Sequence, residues 1–168
     1  MRAERLRPDH LADLRRMDAD EGMMTYLGGV RDASGTAEYL ARNLDHWAQY
    51  GFGIWMLRDS ETNLMIGRAV LRHLEIDGVD EVELGYGFLP PFWGRGLATE
   101  IARACVRIGL EGLRLPSLVA ITLPTNHGSR RVLEKAGLTC IGPGSAYGLE
   151  CDVMLVKRDA MVGEATSA

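Results

Sequence analysis

The sequence lacks the features that would support a disulfide framework, a metal site or a membrane span. Its three cysteines are odd in number and form no CxxC pair, which leaves a disulfide scaffold and a zinc knuckle without support. Its four histidines show no HExxH spacing, so no metal is expected. No apolar run is long enough to span a bilayer, and residues 1–7 lack the apolar region of a signal peptide. These absences predict a soluble cytoplasmic protein without membrane contact.

An excess of positive charge is also lacking. Lysine and arginine total 19 and aspartate and glutamate total 23, which gives a formal net charge of −4. Nucleic-acid binding usually needs a basic surface, so a nucleic-acid partner is not expected, whereas a cationic substrate suits a mildly acidic surface. With 46% hydrophobic residues over 168 positions, the chain predicts one folded domain over residues 1–158 and a short polar tail at 159–168.

Glycine is abundant instead, at 20 of 168 residues, and its spread along the chain predicts many turns and close backbone approaches. The predicted strands cover residues 3–7, 52–58, 64–76, 81–89, 118–123, 138–141 and 150–156. Asp9 is the predicted cap of the first helix, and Gly51 is predicted to end a second helix that follows Ser34. Further helices are predicted to begin at residues 94–96 and at Ser129, and Asp77-Gly78 predicts a hairpin. The order β-α-α-β-β-β-α-β-α-β-β predicts a mixed α/β fold with a largely antiparallel first half and a later strand–helix–strand crossover.

Residues 83–100 carry the strongest functional signal, because a strand runs into a glycine-rich turn that opens a helix. Residues 94–99 can present free backbone N–H groups, which together with the helix dipole make an anion site suited to a pyrophosphate. A side chain at the glycines would hold the phosphates away, and Arg95 can add a charge-assisted contact. The alternative is a helix that merely begins with glycines. A Rossmann fingerprint fits poorly, because its third glycine is missing.

The stretch Trp93-Gly-Arg-Gly-Leu-Ala98 resembles motif A of the GNAT superfamily of acetyl-CoA-dependent N-acetyltransferases, usually written Gln/Arg-x-x-Gly-x-Gly/Ala. Trp93 departs from the first position of that pattern. Residues 125–138, TNHGSRRVLEKAGL, are similar to the Asn-x-x-Ser-x-x-(Val/Leu)-Leu-Glu-Lys-x-Gly-Phe segment of the branch that includes the ribosomal-protein N-terminal acetyltransferases. Residues 51–55 and 66–67 also resemble first-half strands of that branch, so the resemblance covers residues 3–157.

The resemblance implies a GNAT fold: a central, mostly antiparallel sheet that is splayed at two parallel strands, here 81–89 and 118–123, and flanked by helices. It also implies acetyl-CoA as the acyl donor, with the pantetheine arm in the gap between those strands. Gly85 and Gly87 would then mark a bulge or a close backbone approach, or alternatively a twist needed for packing. The implied cofactor-binding residues are Tyr86, Phe88, Trp93, Gly94, Arg95, Gly96, Leu97, Ala98, Thr99, Asn126 and Ser129.

Attack of an amine on a thioester requires the loss of a proton, and Glu83 is the candidate base. It shares a strand face with the two glycines and could act directly or through a water; the alternative is a solvated carboxylate at a strand end. Many GNAT enzymes place a tyrosine acid where this chain has Leu133. Ser129 is therefore the candidate acid, or alternatively a helix cap. Asn126 would hold backbone groups of the cofactor, or serve as a turn residue.

The acceptor is the least defined part of the prediction. Tyr26, Trp55 and Glu83 are candidate acceptor contacts, although the positions of Trp47 and Trp55 also favour core packing. The acceptor is a primary amine, either a protein N-terminal amine or a small molecule, and the enzyme is a monomer or a homodimer. The second hypothesis is an acyl-CoA-binding sensor without turnover. Both functions need residues 94–99, whereas Glu83 and Ser129 favour the enzyme.

Overall fold

The structure is a computed structural model that describes residues 1–159. Within that range the strands are β1 Arg2–Arg5, β2 Ile54–Arg58, β3 Met65–Ile76, β4 Val79–Phe88, β5 Ser117–Thr122, β6 Thr139–Ala146 and β7 Leu149–Lys157. The helices are α1 Leu11–Asp18, α2 Glu21–Met24, α3 Ala33–Tyr50, α4 Leu97–Arg107 and α5 His127–Lys135. Shorter turns of 3-10 helix cover Pro8–His10 and Pro90–Phe92, and a π-helical turn, Ile108–Gly112, extends α4. Of the predicted polar tail at 159–168, residues 160–168 lie outside the described residues.

The seven strands of residues 1–159 form one mixed sheet in the order β1-β2-β3-β4-β5-β7-β6, flanked by helices. Strands β4 and β5 are parallel, and the pairs β1–β2, β2–β3, β5–β7 and β6–β7 are antiparallel. Parallel neighbours need a crossover connection, which α4 provides. This arrangement confirms the predicted fold class.

Two compact units can be recognised along the chain. The first consists of Met1–Arg72 and Tyr86–Ala98, and the second of His73–Gly85 and the residues from Thr99 onward. The first unit has its own apolar core, built on the buried side chains Leu6, Leu14, Met17, Trp47, Ile54 and Met56. The second has a core built on Leu74, Ile76, Val119, Ala146, Cys151 and Val153. A single domain over residues 1–158 stays a prediction.

Helix α3 shows how the sequence sets the bounds of an element. Its buried residues Tyr39, Asn43 and Trp47 recur every four positions, which produces one buried face. Gly51 adopts a left-handed conformation, with φ of 74°, and ends the helix as predicted. The cap is Asp32, whose carboxylate accepts a hydrogen bond from the Gly35 N–H at 2.7 Å.

The predicted cap of the first helix is wrong. Asp9 lies inside the 3-10 turn Pro8–His10, and α1 begins only at Leu11. The Asp9 carboxylate instead accepts a hydrogen bond from the Arg7 guanidinium at 3.1 Å. Proline at the first position of a helical turn is favourable because its φ is already helical, which explains the earlier start.

One of the two hairpin turns of the second unit could be predicted from its residues, and the other could not. Asp77 and Gly78 have φ of 49° and 81°, as the predicted tight hairpin requires. The turn between β6 and β7 is Tyr147-Gly148, with φ of 53° and 73°, and it was not predicted. Strand β6 is longer than the predicted 138–141 because it tolerates Pro143. It lies at the sheet edge, where proline does not interrupt a ladder.

Within residues 1–159, none of the helices combines the length and apolarity that a bilayer crossing requires.

Candidate active site

The loop before α4, residues 93–96 of the first unit, has the backbone of an anion site. Gly94 and Gly96 have φ of 72° and 77°, in the left-handed region that favours glycine. A Cβ atom at either position would meet nothing within 4 Å, so the space beside the loop is open. Helix α4 starts directly afterwards at Leu97, and its first turn has backbone N–H groups without intrahelical partners. Open space, free donors and the positive end of the helix dipole fit a pyrophosphate.

Side chains hold this loop against its own unit. The Trp93 Nε1 donates to the Phe88 carbonyl at 2.7 Å, although 55% of Trp93 is exposed. This bond ties the loop to the end of β4 and occupies one acceptor position of the Phe88 carbonyl. The Arg95 guanidinium carbon lies over the Phe92 ring, 5.4 Å from the ring centroid. Its Nη2 lies 3.9 Å from Asp59 Oδ2. Hydrogen bonds from Thr62, with a smaller contribution from the Arg95 charge, hold the pKa of Asp59 below its usual value.

The end of β4 is closely packed. A Cβ atom at Gly87 would lie 2.7 Å from Leu27 Cδ1 and 3.0 Å from Met23 Cε. A Cβ atom at Gly67 would overlap the Gly87 carbonyl oxygen. Side chains of Leu27 and Met23 thus fill the space beside Gly87, and an approach of the pantetheine arm to this strand stays a prediction. Of the predicted cofactor contacts on this strand, Phe88 is buried and Tyr86 is half-buried.

Glu83 lies on β4 in the second unit and is buried, with 7% of its surface exposed. The register of the parallel pair places it opposite Val119 of β5. The Tyr147 hydroxyl donates to Glu83 Oε2 at 2.8 Å. The alternative of a solvated carboxylate at a strand end is therefore wrong, because β4 begins four residues earlier at Val79. A buried carboxylate with an oriented hydrogen bond can accept a proton.

Asn126 and Ser129 lie at the start of α5, also in the second unit. Asn126 is the cap: its Oδ1 accepts from the Ser129 backbone N–H at 3.0 Å. The alternative of Ser129 as the cap is wrong, because Ser129 is the third residue of the helix. Leu133, at the position where many GNAT enzymes have a tyrosine, is buried and packs as an apolar residue.

The candidate acceptor contacts of the first unit differ in their surroundings. Tyr26 follows α2 and is 45% exposed. Trp55 lies on β2 with its ring 5.3 Å from the Trp47 ring at 80°, an edge-to-face arrangement. Trp47 in turn donates from Nε1 to the Ile54 carbonyl at 2.9 Å. This packing favours the core role of Trp55, and its contact with an acceptor stays a prediction.

The predicted site residues thus fall into two groups. The first unit contains residues 86–98 with Tyr26 and Trp55, and the second contains Glu83, Thr99, Asn126 and Ser129. Sequence reasoning missed Tyr147, which contacts Glu83. No pattern could have pointed to it, since 64 positions separate the two residues.

Comparison with known proteins agrees with this geometry. The family described as "Acetyltransferase (GNAT) domain" matches residues 2–139. The uncharacterized protein YkkB of Bacillus subtilis is 33% identical over 119 residues, which are 71% of this chain and 69% of that protein. The crystal structure of an acetyltransferase from Agrobacterium tumefaciens has a TM-score of 0.80 at 28% identity and covers 92% of this chain and 88% of its own.

Two more distant structures share the fold. Aminoglycoside acetyltransferase AAC(6')-Ib, solved with paromomycin and acetyl-CoA, has a TM-score of 0.79 at 20% identity and covers 98% of this chain and 97% of its own. Spermidine N-acetyltransferase from Vibrio cholerae, solved with CoA and spermine, has a TM-score of 0.76 at 15% identity and covers 96% and 97%. From the family match and the open glycine loop before α4, we conclude that the chain belongs to the GNAT family of N-acetyltransferases, which use acetyl-CoA as the acyl donor.

Proposed function

We propose that this enzyme transfers the acetyl group of acetyl-CoA to the primary amine of a small cationic molecule. The observation that carries the proposal is the buried carboxylate of Glu83, which lies at the parallel strand pair and accepts a hydrogen bond from a neutral hydroxyl. An ammonium must lose a proton before it can attack, and a carboxylate placed at the reacting amine can accept that proton.

The reaction we propose is direct attack without an acyl-enzyme intermediate. The backbone N–H groups of residues 94–99 and the Arg95 guanidinium hold the pyrophosphate of the donor. The ammonium gives one proton to Glu83, directly or through a water, and Glu83 passes it on to the solvent. The free amine nitrogen bonds to the thioester carbon and the carbon–sulfur bond breaks. Ser129 gives a proton to the departing thiolate, and the second proton of the nitrogen, released as the amide forms, replaces it through the solvent. A cysteine nucleophile is disfavoured at two positions, because burial raises the pKa of Cys105 to about 12 and also raises that of Cys151.

The acceptor class rests on charge. The formal net charge of −4 and the buried carboxylate both favour a cationic molecule over an acidic one. Aminoglycosides and spermine, with which two structures of the same fold were solved, are amines of this kind. A protein N-terminal amine, which the branch resemblance favours, remains a prediction without support from these comparisons, and so does the cytoplasmic location.

A thiol-release assay with three amines tests the proposal. We expect turnover of acetyl-CoA with spermine or kanamycin, and less with a short peptide that has a free amino terminus. Turnover with the peptide alone would overturn the small-molecule class but keep the transferase. Binding of CoA in calorimetry, with no thiol release from any of the three, would favour the sensor instead.

Substitution of the base provides the second arm. Glu83→Gln keeps the side-chain shape and removes the proton acceptor, so we expect turnover to fall by roughly 10²- to 10⁴-fold. The KM for acetyl-CoA should not change. The deficit should shrink as the pH rises, because the solution then supplies the free amine. The matched control is Glu75→Gln, an exposed carboxylate on β3 of the same unit, which should keep wild-type turnover.

A further inference from the structure

Tyr147 occupies a position that a tyrosine does not favour. It is the first residue of the two-residue turn between β6 and β7, where Ala146 pairs with Leu149, and its φ is 53°. Such turns prefer asparagine, aspartate or glycine, because other side chains are strained in the left-handed region. Apolar burial does not explain the choice either, since 56% of Tyr147 is exposed. Backbone strain of this kind is found at positions whose side chains have a functional role.

The hydroxyl of Tyr147 has a defined partner. It donates to Oε2 of the buried Glu83 at 2.8 Å, so an exposed turn residue reaches the carboxylate of β4. A hydroxyl fixes the orientation of a carboxylate because it donates one directed hydrogen bond to one of the two oxygens.

The turn that carries Tyr147 is itself held in place by the neighbouring hairpin. The Ser145 N–H donates to Asp77 Oδ1 at 3.0 Å, and the Asp77 N–H donates to the Ser145 carbonyl at 3.3 Å. A Cβ atom at Gly144 would lie 2.9 Å from Asp77 Oδ2, so the two hairpins are in close contact. Asp77 begins the turn between β3 and β4, the strand of Glu83. The turn that carries Tyr147 and the hairpin that leads into the strand of Glu83 are therefore joined by two hydrogen bonds.

We propose that Tyr147 is the positioning residue for Glu83: its hydroxyl holds the carboxylate in the orientation in which it accepts the proton of the acceptor amine. This inference rests on the proposed function, since it needs Glu83 as the base. It assigns a catalytic contribution to the β6–β7 turn, where the sequence shows no motif. Tyr147 acts through Glu83, and we assign it no contact with acetyl-CoA.

The test is a double-mutant cycle in the thiol-release assay, with the fastest of spermine, kanamycin and the peptide as acceptor. A hydrogen bond to a charged group predicts that Tyr147→Phe lowers kcat about ten- to a hundredfold. The KM for acetyl-CoA should remain unchanged. In the Glu83→Gln background the same substitution should lower kcat no further, because there is no base left to orient. Tyr50→Phe, which also removes an exposed tyrosine hydroxyl, is the matched control and should keep wild-type kcat.

A second variant separates catalysis from stability. Tyr147→Asn places a residue that the left-handed region favours, so we expect an equal or higher melting temperature, while kcat falls as in Tyr147→Phe. A drop in kcat that only follows a drop in melting temperature would overturn the positioning role.

The remaining outcomes separate the two proposals. If Glu83→Gln is impaired while Tyr147→Phe keeps wild-type kcat, the positioning role is overturned and Glu83 remains the base. An equal loss from Tyr147→Phe in both backgrounds also overturns it, because the tyrosine would then act without Glu83. Wild-type kcat in Glu83→Gln, or no turnover with any of the three amines, overturns the proposed function and the positioning role with it.

Discussion

Asp18 and Arg68 form a buried ion pair in the first unit. Arg68 Nη1 lies 2.6 Å from Asp18 Oδ1, and the exposed fractions of the two residues are 3% and 0%. Asp18 also accepts hydrogen bonds from Arg31 at 3.1 Å and from the Thr36 hydroxyl at 3.1 Å. The Arg68 guanidinium lies 4.9 Å above the Tyr39 ring. One carboxylate at the end of α1 is thus joined to β3, to α3 and to the segment after α2.

Removal of Arg68 should destabilise the protein. Arg68→Met keeps most of the volume but leaves Asp18 with less compensation for its burial, and breaking a buried pair costs about 3–5 kcal/mol. Urea unfolding monitored by circular dichroism measures the difference. The matched control is Arg130→Met, which breaks the exposed pairs with Glu134 and Asp152 and should change stability far less. Equal losses in the two variants would contradict the role of the buried pair.

The glycine loop before α4 should not tolerate an acidic side chain. Gly96→Glu places bulk and negative charge where the pyrophosphate is expected, so calorimetry should detect no binding of acetyl-CoA to the folded variant. The control is Gly51→Glu, since Gly51 has nearly the same φ, 74° against 77°, and equally open space beside it. It should carry the same backbone strain and still bind acetyl-CoA. Unchanged affinity in Gly96→Glu would remove this loop from the site.

Alanine substitutions at Asn126 and at Ser129 should differ in their effects on melting temperature and on turnover. Asn126→Ala removes the cap of α5 and should cost about 1 kcal/mol of stability. Ser129→Ala should lower turnover while leaving the melting temperature and the affinity for acetyl-CoA nearly unchanged, because its backbone N–H keeps the bond to Asn126. Wild-type turnover in Ser129→Ala would leave the protonation of the thiolate to a water.

His10 should make stability depend on pH below neutrality. It is 2% exposed, its Nδ1 accepts the Arg7 N–H at 3.0 Å, and within the described residues its Nε2 has no hydrogen-bond partner. Burial, and to a smaller extent the charge of Arg7, lower its pKa below the usual 6.5. The unfolded chain therefore takes up the proton first, so the contribution of His10 is complete above pH 6.5 and is lost as the pH falls through the lower pKa of the folded state.

His10→Asn is the variant that checks this prediction. Its side-chain oxygen can still accept the Arg7 N–H, but it does not titrate. Unfolding free energies of both proteins between pH 8 and pH 5 should diverge as the pH falls, with the wild type losing more stability. Parallel curves would show that His10 takes no part in the pH dependence.

Local patterns were sufficient for most of the fold. The apolar positions of α3, the left-handed Gly51 after it and the Asp77-Gly78 hairpin are set by interactions between residues close in sequence. They could therefore be predicted from the chain. Strand β6 could not, because its Gly142 and Pro143 are typical of loops and are tolerated only at a sheet edge. Whether a strand lies at an edge depends on which strands pair, which no local pattern states.

The same division applies to the site. The glycine loop before α4 could be predicted from the chain, since its donors and its open backbone come from consecutive residues. Strand alternation also identified Glu83 as a candidate. The burial of Glu83, the hydrogen bond from Tyr147 and the capping of α5 by Asn126 rather than Ser129 became visible in the folded chain alone. Burial and hydrogen bonds between distant residues arise when strands pair across the sheet, and the spacing of residues along a chain carries no record of that pairing.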